Sequence, residues 1–199
     1  MEVVKAALRA QGLLSTDVDS ELDSGLRYWA LERRICSSLT QNIALSLEDV
    51  MACHQAKSFD YRVLHGVLVA LLRTAPDAEA HAALLAFLRL DERLVDIGDD
   101  LTDYEDDVVA NSFNLLRCFI SLYGTAAAPL RLIELISEVE VAHAAALQAL
   151  HEGHRRHFWA RHVEAAAQPR SEKWVLPSRL ITTADEPAFR RKYGGDALG

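Results

Sequence analysis

Residues 88–124 read LRLDERLVDIGDDLTDYEDDVVANSFNLLRCFISLYG, without a proline and with only Gly98 interrupting the helix formers before Gly124 closes the run. That pattern predicts one long two-faced helix. At ~100° per residue, Glu92, Asp96, Asp99, Asp100, Asp103 and Asp107 fall on one side, and Asn111, Asn114 and Arg117 continue it. Leu90, Leu94, Ile97, Leu101, Val108 and Leu115 form a separate apolar stripe about a third of a turn round, whereas Glu105 points the other way. Carboxylates one turn apart repel by roughly 0.2–0.5 kcal/mol per pair even when exposed. Any fold must therefore bury the apolar stripe and leave the acidic one to water or to positive charge.

Both outcomes stay open on pattern alone. A charge run is ordinarily a hydrated outer face. Here, though, the acids converge on two turns and border the apolar stripe, which places them at a groove edge. Oxygen ligands at one-turn spacing are also what Mg²⁺ takes, with water and phosphate oxygens filling its shell.

The same residues carry a resemblance. Asp99-Asp100-Leu101-Thr102-Asp103 is a DDxxD, and its setting VDIGDD (95–100) resembles the second aspartate-rich motif of trans-prenyl diphosphate synthases. Asp99, Asp103 and Asp107, spaced i, i+4, i+8, resemble the second metal triad of class I terpene synthases, with aspartate at all three places. AKSFDYRVL (56–64) together with DIGDDLTDYEDDVVANSFNLLR (96–117) is similar to green-plant and algal members of the isoprenoid-synthase superfamily, over residues 25–190. The resemblance implies an all-α antiparallel helical bundle that binds an isoprenoid diphosphate through Mg²⁺. It implies Asp99, Asp103 and Asp107 as metal ligands, Asp100 and Asp96 in support, and Arg62, Arg117 and Arg155 on the diphosphate. If active, such a protein is a Mg²⁺-dependent prenyl or terpenyl diphosphate transferase or lyase. No first aspartate-rich motif stands upstream, and the chain is shorter than a usual member. The alternative is a non-catalytic helical scaffold, or a subunit of a larger assembly derived from that fold.

The bounds agree with a helical protein. The chain has 199 residues, half of them hydrophobic, which suits one bundle domain over 1–168 and an irregular extension over 169–199. A net charge of −8 argues against a general nucleic-acid binder, because no dominant basic surface is available for phosphates. Cys36, Cys53 and Cys118 are far apart and read as reduced core residues. No uncharged run reaches the ~18–20 residues that cross a bilayer, so a soluble intracellular protein, cytoplasmic or plastid, is expected. The expected partners are an isoprenoid diphosphate, and a second copy or another protein.

Taken in order, residues 2–13 predict a short amphipathic helix and 14–24 a polar connector with capping signals at Ser15, Thr16 and Asp19. Asp17, Asp19, Glu21 and Asp23 alternate as in a calcium loop, but the glycine and terminal acid of an EF-hand are absent. Helices are expected over 25–45 and, capped by Ser46, over 46–73. Asp60-Tyr61-Arg62 reads either as a buried tyrosine beside an Asp–Arg pair or as an arginine reaching a phosphate. Thr74-Ala75-Pro76 is the clearest break, with Asp77 capping the next helix. A rod over 78–123 would be ~70 Å long, so a kink near Gly98 or a break near Asn111-Ser112 is expected. Pro129 is expected to open a central apolar helix to residue 150. His151, His154, His157 and His162 lie on a basic segment without converging as zinc ligands. From 168 onward three prolines remove periodicity. This tail should lay Trp174, Leu176 and Ile181 across the bundle and end in a flexible stretch at 194–199.

Overall fold

The computed structural model describes residues 1–72, 77–167 and 174–194, and the expected helices form with shifted ends: the one expected over 25–45 stops at Thr40, because Asn42 takes a left-handed conformation (φ 54°). Nine helices and no strand occur among the described residues. The chain divides into two compact units, Met1–Pro76 and Asp77–Gly199. Their boundary falls at the Thr74-Ala75-Pro76 signal, which itself lies outside the described residues, as do Arg73, Pro169 and the 195–199 end.

The first unit holds α1 (Glu2–Ala10), α2 (Thr16–Thr40), α3 (Leu47–Ala56) and α4 (Phe59–Leu71). The expected 14–24 connector is instead the first turns of α2. The Ser15 hydroxyl accepts from the Val18 amide at 3.2 Å, and Asp17 and Asp19 suit the positive helix start. The alternating acids therefore point to different partners. Asp19 and Asp23 flank Lys5 of α1 at 2.9 and 2.5 Å, while Glu21 turns inward. The expected single helix over 46–73 is split at Ser58, which adopts a left-handed conformation (φ 56°) between α3 and α4. Helices α2 and α4 run antiparallel: Val18 meets Gly66, Glu21 meets Arg62, and Gly25 meets the Phe59 ring. Side chains at Gly25 or Gly66 would collide with these neighbours, so glycine sets how closely the two helices approach. Val18, Leu22, Leu31, Ile35, Leu39, Val50 and Cys53 form the core.

The second unit holds α5 (Ala78–Thr102), α6 (Tyr104–Ala110), α7 (Leu115–Ala149), α8 (Glu152–Ala166) and α9 (Glu186–Tyr193). Asp77 caps α5, accepting from the Ala80 amide at 3.0 Å. Gly98 does not kink it. The rod is interrupted at Asp103 (φ −96°, ψ 12°) and at Asn111, which takes a left-handed conformation (φ 56°). Helices α5 and α7 pack antiparallel, with Phe87 against Leu147, Asp91 beside His143, and Asp100 beside Leu115. Ile97, Leu101, Val108, Leu116, Leu132, Ile136 and Val139 fill the space between. Gly124 (φ 76°, ψ 164°) breaks α7, and the helix resumes before Pro129. By length and composition alone α7 is long and apolar enough to cross a bilayer. The three cysteines are buried free thiols.

The tail is only partly irregular. Ile181 is buried and Trp174 donates to Glu140 at 3.1 Å, whereas Leu176 is exposed. Helix α9 follows where no helix was expected. Pro187 sits at its first turn, where a missing N–H costs nothing, so this proline starts a helix instead of breaking one.

Candidate functional site

The acidic stripe does not share one fate. Asp96 and Asp100 are buried, Asp107 is half-buried, and Asp99 and Asp103 are exposed. Asp103 interrupts the rod while the bonds from the Asp103 amide to the Asp99 carbonyl and from the Asp107 amide to the Asp103 carbonyl persist at 2.8 Å. This is a kink, and Asn111 then turns the chain back so that α7 begins beside the end of α5.

The return is stitched by polar side chains. Asn114 caps α7, its Oδ1 accepting from the Arg117 amide at 3.1 Å. Its Nδ2 donates to the Asp100 carbonyl at 2.6 Å and to Asp107 Oδ2 at 3.0 Å. Asp100 Oδ2 accepts from the Leu115 amide at 2.6 Å. The Asp100 carboxylate thus satisfies the first backbone amide of α7, which would otherwise be left over at a buried helix end, and the Asp107 carboxylate holds the side chain of the Asn114 cap.

Arg117 is the centre of the network and is 1 % exposed. Its Nε and Nη2 grip both oxygens of Glu186 at 2.7 and 2.8 Å. Nη1 donates to the Ser112 carbonyl at 2.7 Å, and Nη2 also donates to Asn111 Oδ1 at 2.7 Å. Glu186 Oε2 accepts in turn from Arg190 Nη2 at 2.6 Å, and Arg190 Nε donates to the Val108 carbonyl at 2.7 Å. A planar guanidinium matched to a carboxylate in this two-pronged way is the strong form of the ion pair. Nearby, the Tyr104 hydroxyl accepts from the Ile181 amide at 2.9 Å and donates to the Ile181 carbonyl at 3.2 Å. Burial pushes the Tyr104 hydroxyl up to about 12, against the smaller opposing effect of the Ile181 hydrogen bond.

The arginines expected on a diphosphate are each engaged inside the protein. Arg117 is tied to Glu186. Arg62, in the first unit, donates to Glu21 at 2.8 Å and to the Lys57 carbonyl at 3.3 Å. Arg155 donates to the Gln148 and Leu150 carbonyls at 2.8 and 3.0 Å, closing the C-terminal end of α7. The Asp60–Arg62 pairing is not formed: Asp60 and Tyr61 are exposed, and Glu21 takes the arginine. Residues two apart on a helix point in different directions, so Asp60 has no route to a guanidinium that turns inward.

The residues that the resemblance implies as Mg²⁺ ligands have different surroundings. Asp100 Oδ2 accepts from the Leu115 amide and Asp107 Oδ2 from the Asn114 amide group, whereas Asp99 and Asp103 are exposed. Among the described residues no group of three or more His, Cys, Asp or Glu is placed to hold a metal ion. Sequence reasoning placed Asn111, Asn114 and Arg117 on the acidic side but missed Glu186, which closes the network from 69 residues away. The one sequence signal for it was Asp185-Glu186-Pro187, an acidic helix start with proline in the first turn.

No family model, curated protein or solved structure matches the chain.

Proposed function

We propose that this chain is a non-catalytic helical scaffold or assembly subunit on the isoprenoid-synthase-like pattern of its sequence, with the aspartate-rich segment serving as an internal brace. One observation carries the reading. Arg117, the cation that continues the acidic side of the segment, is fully buried and gripped through both oxygens of Glu186. A ligand phosphate would have to displace that carboxylate from a desolvated site. Removing one partner of a buried pair leaves an uncompensated charge, at a cost of about 3–5 kcal/mol.

The competing reading is Mg²⁺-dependent binding of an isoprenoid diphosphate. It rests on the motif likeness and on Asp99 and Asp103, exposed one helical turn apart. Thermal melting with Mg²⁺ and inorganic diphosphate, and again with Mg²⁺ and geranyl diphosphate, separates the two. A ligand present at about 100 times its Kd stabilises by ~2.7 kcal/mol. That corresponds to roughly 5–10 °C for a chain of this size. The scaffold reading expects no such shift and no diphosphate release. A Mg²⁺-dependent rise that Asp103→Asn abolishes would overturn it.

A further inference from the structure

We draw no further inference here: the strongest candidate, the exposed surface patch on α8 of the second unit where His154, His157 and Arg161 stand on one helix with Trp159 and Val163, carries nothing, because nothing in the structure shows what covers it.

Discussion

Glu186 and Tyr104 are the side chains on which the second unit should be most sensitive. Glu186→Gln keeps the shape and removes the charge that Arg117 and Arg190 share, so unfolding stability should fall by about 3–5 kcal/mol. Urea titration measures this, and Glu105→Gln, at an exposed position, should stay within ~0.5 kcal/mol as control. Tyr104→Phe leaves the Ile181 amide without its acceptor, at about 1–3 kcal/mol. The tyrosine also sets a pH dependence. Its hydroxyl ionises near 10 when unfolded and at about 12 when folded, so the unfolded chain binds fewer protons between those values. The contribution is whole below pH 10 and is lost as the pH rises towards 12. A stability profile over pH 9–12 should therefore fall less steeply for Tyr104→Phe than for wild type.

At the scale of elements, the two glycines of the long acidic region and of α7 should respond in opposite directions. Gly98 lies within α5 with helical neighbours and open space where a Cβ would sit. Gly98→Ala should stabilise by about 0.5–1 kcal/mol, because it removes backbone freedom from the unfolded chain without a clash. Gly124 breaks α7 at φ 76°, a conformation in which a side chain is strained, so Gly124→Ala should cost about 1 kcal/mol or more. Measuring both by urea titration also tests the placement of the break: the opposite ordering of signs would put the kink at Gly98. Asn114 joins three elements through one amide group, capping α7 and holding the ends of α5 and α6. Its replacement by alanine should exceed the ~1 kcal/mol of a simple cap.

For the whole molecule, each unit carries a buried arginine–glutamate pair that ties distant segments: Arg62 with Glu21, and Arg117 with Glu186. Exposed apolar side chains are spread over several elements, Val3, Leu26, Leu64, Val95, Ile133 and Val163 among them, and the chain carries a net charge of −8.

Local signals were enough to settle what the sequence could settle alone. Ser15, Ser46 and Asp77 start helices because a side-chain oxygen beside an unpaired amide acts within one turn. The all-helical class, the turn at Asn111 and the burial of three free cysteines come from signals of the same short range. The fate of the charges was not local. Six acids share one side of a helical wheel, yet the kink at Asp103 and the return of α7 give Asp100 the Leu115 amide and Asp107 the Asn114 side chain, and leave Asp99 to water. Glu21 rather than Asp60 takes Arg62, and Glu186 reaches Arg117 across 69 residues. A carboxylate's partner depends on which elements pack against it, since desolvation selects the pair that burial brings together. No periodicity along the chain encodes that choice, and only the tertiary structure made it.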